Sequence, residues 1–400
     1  MNMSHKVWIV KFEEDISLDE EPFIGRSGML SKYCAEAGHD VTYVSSLTSY
    51  NSGKNRTSTS NIFSRMRSVH NYDYLLIREL TSVRTRKILR VINIYYMSLA
   101  LLLYFMVHKN RPQVVVVAHP FPFTGFLFAL AKINIKFKLI VDVRDLWPQI
   151  FKYEEKQTVI NKIFTRWIAL ENKYLLKKAD AVTSINDEFI KVVKEQNFIK
   201  TLSKPNRCFY ICSNRRPLPV RKLENDVKKW RLVTFGTLSD TTVTGILDFE
   251  HIIKNTSLNM SVKVFGQGRH RQRLLDLSSD FEIFDRVGFE QLASEVSDAH
   301  FILNFVSSRI DYDSSLSNKF FDAFALGKPI ICRAGTAMAN FIERYECGIV
   351  IENSKSVEQS LTTISTQRYN HMLEKLEEVR TKEFKPSKVY SDFAKFITTC

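Results

Sequence analysis

The chain has 400 residues, of which 44% are hydrophobic and 25% are charged. This composition excludes a disordered or fibrous protein and is typical of a globular one. At roughly 150 residues per domain, the length predicts two or three domains. The formal net charge of +14 favours an anionic partner, which is a nucleic acid, a membrane surface or a phosphorylated substrate.

Cysteine spacing and the amino terminus bear on location. The cysteines lack the paired short spacings of a zinc site, and only Cys208 and Cys212 lie close together in the sequence. The chain begins with a short β-like run, MNMSHKVWIVKF, rather than with a charged segment, an apolar stretch and a cleavage site. We therefore expect a reduced, cytoplasmic protein.

The first half of the chain alternates strand-like and helix-like segments. The strand VWIV is followed by an acidic loop, by a helix over 27–38 and by a second strand, HDVTYVSS. The polar run 48–61 predicts a loop. QVVVVAHP and KLIVDVRDLWP are apolar, β-branched runs of the kind that a parallel sheet buries on both faces. This order predicts a doubly wound parallel sheet, and we assign 1–205 to a first Rossmann-like domain.

The longest apolar segment is VINIYYMSLALLLYFMV, residues 91–107. Its length is at the lower limit of the ~17–25 residues that span a bilayer, and basic residues flank it on both sides. Two interpretations stay open, a buried helix of the α/β domain or a helix at a membrane surface whose edge touches lipid. Basic residues between 65 and 111 favour contact with an anionic leaflet.

The strand–helix pattern begins again after a basic stretch that contains prolines, KPNRCFYICSNRRPLPVRKLEND. RLVTFGT, SVKVFGQG, FEIFDRVG, HFILNFV and KPIICRAG predict further strands, each followed by a helix. We therefore assign 206–382 to a second Rossmann-like domain and 383–400 to a closing helix. In such folds ligands bind beyond the carboxyl ends of the strands, so we expect a site in a cleft between the domains.

One apolar segment, LSNKFFDAFALGKPII, has polar residues at its start. If Ser317 or Asn318 caps a helix, Lys319 and Asp322 lie in its first turn and a half. The amino end of a helix carries unpaired N–H groups and partial positive charge, so it favours phosphate, and Lys319 adds a cation. Asp322 is suitably placed to bind a ribose diol. The alternative is an ordinary capped amphipathic helix in which Asp322 neutralises the dipole.

The string NKFFDAFALGKPII resembles the donor-site motif of family-four glycosyltransferases, which are retaining enzymes of the two-Rossmann, GT-B type. VDVRDLWPQIF is similar to a signature of the subgroup that builds bacterial O-antigen and capsule polysaccharides. ENKYLLKKADAVTSIN, VFGQGRHRQRLL and YECGIVIE resemble further segments of the family. In this order and spacing the resemblance covers most of the chain.

The resemblance implies a site for a nucleotide-sugar in the second half. Asp322 is expected to bind the ribose, and Lys319 and the helix terminus are expected to lie near the diphosphate. Typical relatives also have a Glu that touches the sugar ring. This chain has Ser314 at that position, and Asp311 or Asp313 is expected to substitute.

Glycines mark two strand ends of the second half. Three residues at and just beyond the end of the strand RLVTFGT are expected to offer N–H and hydroxyl groups to the diphosphate: Gly236, Thr237 and Ser239. Relatives usually carry a basic pair here, which this chain lacks. Arg269 or Arg271, just after Gly266 and Gly268, is therefore expected to supply the charge.

Polar residues also follow two buried strands of the first half. Arg144 is expected to bind an anionic acceptor and Asp145 to position its hydroxyl, with a purely structural ion pair as the alternative. His119 ends the strand VVVVAH, where the resemblance implies contact with the donor sugar and the residues alone fit a loop hydrogen bond equally well. Gly25 and Arg26 form a short turn that faces the acceptor in the family.

The string DYD, residues 311–313, has the spacing of a metal-binding Asp-x-Asp pair. Two-Rossmann transferases replace the metal with a helix terminus and cations. The resemblance therefore implies that the enzyme uses neither a metal nor another cofactor.

These observations predict a retaining glycosyltransferase that moves a sugar from a nucleotide-sugar, by default a UDP-sugar, to a polyprenyl-pyrophosphate-linked glycan acceptor. We expect it to associate peripherally with the anionic inner face of the plasma membrane. One alternative is a nucleotide-sugar epimerase on the same architecture, against which Ser314 argues. The other is a non-enzymatic basic protein that binds nucleic acid. Against it, the basic residues are scattered over the chain and no stacking-aromatic motif accompanies them, so we do not expect nucleic acid as a partner.

Overall fold

The computed structural model describes residues 4–18, 24–49, 52–81, 87–119, 122–147, 158–196, 204–212, 217–225, 227–308 and 313–400. The chain forms two compact units, Met1–Asn214 with Pro386–Cys400 and Arg215–Lys385. Each unit is built around one sheet of mostly parallel strands with helices packed on it. The predicted α/β class with two Rossmann-like sheets is confirmed.

The first unit contains an eight-stranded sheet. Its strands are β1 Lys6–Val10, β2 Asp40–Ser46, β3 Phe63–Arg67, β4 Asp73–Ile77, β5 Val114–His119, β6 Lys138–Val143, β7 Ala181–Ser184 and β8 Asn206–Cys208. They are ordered β3-β4-β2-β1-β5-β6-β7-β8, and only the pair β3–β4 is antiparallel. The apolar runs of β1, β5 and β6 occupy the centre because both faces of these strands are covered. The sheet continues past residue 205, since β8 pairs with β7.

Five helices of the first unit connect these strands: α1 Arg26–Glu36, α2 Lys87–Val107, α3 Pro122–Ala131, α4 Val159–Lys178 and α5 Asp187–Gln196. The helix α3 packs between α2 and α4. The hydroxyl of Thr158 caps α4 by accepting from the backbone N–H of Asn161. Gly38, at φ +87°, lies just beyond α1, where a left-handed residue ends the helix.

The helix α2 contains the long apolar segment of the sequence. Its inner face packs into the core through Ile94, Met97, Leu101 and Phe105, as the buried-helix interpretation expects. Residues Leu89–Val107 are long and apolar enough to cross a membrane, and 33% of this apolar stretch is buried inside the protein. Length and composition alone fit a core helix equally well.

The second unit contains a six-stranded, fully parallel sheet. Its strands are β9 Trp230–Thr237, β10 Met260–Gln267, β11 Glu282–Phe284, β12 Phe301–Asn304, β13 Ile330–Arg333 and β14 Gly348–Ile351. They are ordered β11-β10-β9-β12-β13-β14. Successive strands are therefore added on one side of β9 up to β11 and on its other side from β12 onward, so the strand order reverses between β9 and β12. A reversal of this kind leaves a crevice at the carboxyl ends of the strands, which is where ligands bind in open α/β sheets.

The helices of the second unit are α6 Asp240–Lys254, α7 Arg271–Leu277, α8 Phe289–Ser297, α9 Asn318–Ala325, α10 Ala337–Tyr345, α11 Ser354–Thr362 and α12 Thr366–Lys382. Aromatic contacts hold α9 in place. Phe320 and Phe324 pack edge-to-face on Phe341 and Phe384. Because this cluster packs one side of α9 against its neighbours, it fixes the orientation of the helix and so the direction in which its amino end points.

The last helix, α13 Pro386–Thr399, belongs to the first unit. It packs against α1, with the rings of Tyr390 and Tyr33 stacked at 5.9 Å between centroids. Phe393 stacks on Phe209 at 4.4 Å, and the guanidinium of Arg26 lies over the Phe393 ring at 4.8 Å. The carboxyl-terminal helix therefore completes the first unit.

Candidate functional site

The amino end of α9 presents a cation at the carboxyl edge of the second sheet. Ser317 caps the helix, and its hydroxyl accepts from the backbone N–H of Phe320 at 3.2 Å. Asn304, the last residue of β12, donates its side-chain N–H to the same hydroxyl at 2.8 Å. Lys319 follows in the first turn and donates to the hydroxyl of Thr234 on β9 at 2.7 Å.

Lys319 is a partly buried cation without a matching anion among the described residues. Desolvation lowers the pKa of its ammonium to about 8 and is the only cause of the shift. The other partly buried cation at this edge, Arg333, is ion-paired with Asp313. A buried charge is costly unless it is paired, and the first N–H groups of α9 add positive potential beside Lys319. An anion at this place would compensate the charge of Lys319.

Asp322, predicted to bind a ribose, lies one turn further along α9 and is partly buried, whereas Asn318 is exposed. Asp313 accepts from Ser308 at 2.9 Å as well as pairing with Arg333, and Asp311 lies outside the described residues. Among the described residues no group of three or more His, Cys, Asp or Glu side chains is arranged to hold a metal ion.

Two glycines allow β9 and β10 to approach closely at this edge. Gly266 is paired with Gly236, and a Cβ at Gly266 would lie 2.4 Å from the carbonyl oxygen of Gly236. Gly236 itself has φ +121°, which favours glycine. The hydroxyl of Ser239 caps α6 by accepting from the backbone N–H of Thr242, while Thr237 and Arg269 are exposed.

Arg144 stands at the end of β6 in a polar network of the first unit. It donates from Nε to Asp142 at 2.8 Å, from Nη1 to Glu14 at 3.0 Å and from Nη2 to the hydroxyl of Ser27 at 2.8 Å. Burial alone would lower the pKa of Arg144, but Glu14 and Asp142 outweigh it and raise the pKa. The guanidinium therefore joins the end of β6 to the loop after β1 through Glu14 and to the start of α1 through Ser27.

Arg26 completes the network from the first turn of α1. Its Nε and Nη2 form a two-pronged contact with Asp142 at 3.0 and 2.9 Å, and Nη1 donates to the Phe209 carbonyl at 2.6 Å. Asp142 is fully buried and also accepts from Thr183 at 2.8 Å. Burial would raise the pKa of Asp142, but Arg26 and then Arg144 outweigh it and hold the pKa well below its ordinary value. The carboxylate is thus a fixed anion between two guanidinium groups.

Glu14 is a member of this network that sequence reasoning missed. Besides Arg144 it accepts from the hydroxyl of Ser27 at 2.5 Å and from the hydroxyl of Tyr43 at 3.1 Å. The sequence showed it only as one acid in an acidic loop. Lys11, also missed, is partly buried nearby, and burial followed by the charge of Arg144 lowers its pKa to about 8.

Gly25 makes room for Glu14, which leads to a testable expectation. A Cβ at Gly25 would lie 2.2 Å from Oε1 of Glu14, an atom that its hydrogen bonds hold in place. We expect Gly25→Ala to lower the free energy of unfolding by about 1–3 kcal/mol through overpacking, measured by denaturant titration.

Gly288→Ala is the matched control for that substitution. Gly288 also precedes a helix in an extended conformation, with φ −66° and ψ 164° against −65° and 176° at Gly25, but nothing lies within 4 Å of its Cβ position. A change of about 0.5 kcal/mol is expected there. Equal effects of the two substitutions would show that the contact with Glu14 is unimportant.

His119, at the end of β5, is buried and engaged at both ring nitrogens. Nδ1 lies 3.2 Å from the Asp145 carbonyl oxygen, and Nε2 lies 3.0 Å from Oδ1 of Asn172 on α4. The side-chain N–H of Asn172 donates to the Trp147 carbonyl at 2.9 Å. Desolvation lowers the pKa of His119 although both neighbours favour its charged form. The ring therefore joins α4 to the loop after β6, in which the Asp145 side chain is exposed.

The site residues predicted in the first unit thus gather around two centres at the carboxyl edge of its sheet. Gly25, Arg26 and Arg144 meet at Asp142 and Glu14. His119 meets Asn172 and the backbone of Asp145. Of the partners that the sequence analysis did not name, only Asn172 carried a signal in the sequence, because it lies in the segment ENKYLLKKADAVTSIN that resembles the family.

The chain resembles one known domain family and several solved structures. Residues 242–384 match the family described as Glucosyltransferase 3-like, C-terminal domain. This range includes α9, the end of β10 and the aromatic cluster around Phe384. Comparison with curated proteins gives no match.

Several solved structures have a similar fold over the full length of the chain. Sucrose-phosphate synthase from Thermosynechococcus elongatus aligns with a TM-score of 0.68 and 13% identity, covering 98% of each chain. WaaG, a glycosyltransferase involved in lipopolysaccharide biosynthesis, aligns with 0.61 and 15%, covering 98% of this chain and 100% of the other. HepE from Anabaena, in complex with UDP, aligns with 0.60 and 7%, covering 100% of each.

At such identities the structural similarity concerns the fold, whereas the match over 242–384 concerns the family of that domain. Both agree with the enzyme class predicted from the sequence. The chain therefore has the GT-B fold and is a glycosyltransferase, and its residues 242–384 match the C-terminal domain of Glucosyltransferase 3-like proteins.

Proposed function

We propose that the protein is a retaining glycosyltransferase that transfers a sugar from a UDP-sugar to a polyprenyl-pyrophosphate-linked glycan during synthesis of a bacterial surface polysaccharide. The single observation that carries the donor half of this proposal is Lys319, a partly buried cation at the amino end of a capped helix, with only a neutral hydroxyl as its observed partner. A nucleotide diphosphate is an anion of suitable size and charge for this place.

UDP is the nucleotide that we favour. HepE, which shares the fold, has been solved with UDP and with UDP-glucose. In the proposed complex the diphosphate contacts Lys319 and the N–H groups of α9 and of the loop after β9, and Asp322 binds the ribose. Arg269, exposed after β10, supplies a further positive charge.

The chemistry requires stabilisation of the leaving group. As the bond between C1 of the sugar and the diphosphate oxygen breaks, negative charge grows on the diphosphate, where Lys319 and preorganised N–H groups stabilise it. The acceptor hydroxyl forms the new bond to C1 on the same face of the sugar, and its proton passes to the leaving phosphate oxygen. No metal is needed in this scheme, because fixed positive groups perform the task.

The acceptor half rests on the first unit. Asp145, exposed after β6, is proposed to position the acceptor hydroxyl, and the Arg144 network provides a rigid floor beneath it. The similarity in fold to WaaG, a glycosyltransferase involved in lipopolysaccharide biosynthesis, supports our choice of a lipid-linked acceptor. Basic residues between 65 and 111 would attract the protein to the anionic inner leaflet, so we propose a cytoplasmic, peripheral location.

A thermal-shift panel of UDP, GDP, dTDP and CMP tests the donor class. A nucleotide at 100 times its Kd should stabilise the protein by about 2.7 kcal/mol. We expect UDP to raise the Tm and Asp322→Ala to reduce that effect, since the ribose contact is lost. Glu374→Ala, which removes an exposed acid on α12 paired with Lys222, is the control and should keep the full shift.

The panel and an activity assay also separate the alternatives. If none of the nucleotides raised the Tm, a nucleotide-sugar would no longer be the favoured donor. Turnover of a UDP-sugar to its epimer without an acceptor would favour the epimerase. Release of UDP that depends on a polyprenyl-pyrophosphate glycan would support transfer.

A further inference from the structure

The outer side of α4 carries an apolar stripe that the protein core does not use. Four side chains recur at the spacing of one helix face and are strongly exposed: Val159 at 72%, Ile163 at 62%, Trp167 at 50% and Leu170 at 64%. The opposite face of α4 packs into the core through Ile168, Leu175 and Leu176. A helix of a soluble unit ordinarily has a polar outer face, so this second apolar face needs a separate explanation.

The charges along α4 indicate what kind of surface covers this stripe. Lys162, Arg166 and Lys173 are exposed and lie side by side along one flank of it. Glu171 is the only acidic residue in the sequence of α4, and it is 2% exposed. Burial raises the pKa of Glu171 to about 7, so much of it is neutral near physiological pH. The outer face is therefore half apolar and half basic.

The stripe is part of a larger apolar layer. Because α3 packs against both α2 and α4, the three helices lie next to one another on the first unit. Among the described residues of α2 five apolar side chains are exposed: Ile92, Leu99, Leu103, Met106 and Val107. The carboxyl end of α3 and the following turn add Leu130 and Ile133. We call these exposed apolar residues of α2, α3 and α4, with the flanking cations of α4, the three-helix face.

We propose that the three-helix face docks on an anionic lipid surface, with the stripe of α4 inserted at the headgroup level. A helix with an apolar face and a basic flank binds in the plane of a bilayer, where its cations meet anionic headgroups and Trp is a favoured anchor. The proposal gives the peripheral location of the proposed function a defined surface, and it rests on that function for its biological role.

Vesicle flotation tests the proposal with the full-length protein. We expect it to float with phosphatidylcholine vesicles that contain phosphatidylglycerol, and much less with pure phosphatidylcholine or at high salt. The double substitution Ile163→Glu with Leu170→Glu should lower the partition coefficient at least about tenfold, since it places two acids in the stripe. Leu277→Glu, at a side chain of α7 that is 60% exposed, is the matched control and should bind as the wild type does.

Tryptophan fluorescence gives a second readout. Trp8 and Trp230 are buried and Trp147 is partly buried, so Trp167 is the side chain whose emission should move to shorter wavelength on vesicles. Trp167→Phe should remove most of that movement. An unchanged movement in this variant would place the lipid contact elsewhere.

The outcomes separate this proposal from the proposed function. Loss of flotation in the Ile163/Leu170 variant with a retained UDP shift in the melting curve supports the three-helix face and shows that the protein is folded. Wild-type flotation of that variant, or no flotation of the wild type, overturns the docking surface whatever the nucleotide result. A wild-type dimer that the same variant converts to a monomer also overturns it, because a second copy would then cover the stripe.

Discussion

Replacing Lys319 by methionine is expected to lower kcat/KM for glycosyl transfer by about 10²–10³-fold, the usual effect of removing one preorganised group that stabilises developing charge. Among the described residues the ammonium donates only to Thr234 and has no acid beside it. Methionine keeps the length of the side chain, so the loss reports the charge. Initial-rate kinetics with a UDP-sugar and a lipid-linked acceptor measure it.

Although it lowers activity, the same substitution should not lower the stability of the protein without nucleotide. Desolvation lowers the pKa of Lys319 from 10.5 to about 8. Between these values the unfolded chain binds more protons than the folded one, so the free energy of unfolding rises with pH. Below about pH 8 the full desolvation cost is present, and Lys319→Met removes it. We expect an equal or higher Tm at neutral pH and a flatter pH dependence between about pH 8 and 10.5.

Lys328→Met is the matched control. Burial also lowers the pKa of Lys328 to about 8, but its ammonium donates to the carbonyl oxygens of Ser297 and Ala299 at 2.9 and 2.6 Å. Its loss leaves these carbonyls without their partner, so the Tm should fall while the UDP-induced shift remains. If Lys319→Met kept both the UDP shift and the rate, the anion site at α9 would be wrong.

Asp142→Asn is expected to destabilise the first unit by about 3–5 kcal/mol, because it breaks a buried ion pair and leaves its partners. Arg26 is buried and would lose its two-pronged contact, and Arg144 would keep Glu14 as its only anionic partner in the network beside the hydroxyl of Ser27. Burial would raise the pKa of Asp142, but Arg26 and Arg144 hold it below its ordinary value. Its contribution to stability is therefore present above about pH 4 and is lost only in stronger acid.

Denaturant unfolding with and without UDP measures this effect and separates the two units, since the proposed nucleotide site lies in the second. Asp145→Asn, at the exposed acid three residues further on, is the control and should change the free energy of unfolding by less than about 0.5 kcal/mol. A loss below about 1 kcal/mol in Asp142→Asn would contradict the view of Asp142 as the shared anion of two buried guanidinium groups.

The sequence by itself determined the α/β class and the ends of most strands. The β-branched runs of β1, β5 and β6, and the capped start of α9, are local patterns that few other structures accommodate. It did not reveal β3, an edge strand whose FSRMR sequence has no fully buried residue and lacks an apolar run. Edge strands are specified by their neighbour, here β4, more than by their own residues.

Only the tertiary structure decided which residues meet. Glu14 and Arg144 are 130 positions apart, and His119 and Asn172 are 53 apart, so no local pattern predicts their contact. Likewise, α13 joins the first unit although it follows the second in the chain. The packing of one face of α4 into the core decides that its other apolar face is exposed. Local patterns encode where a helix or strand forms, but the partner of a buried charge and the exposed side of a helix depend on how distant segments pack.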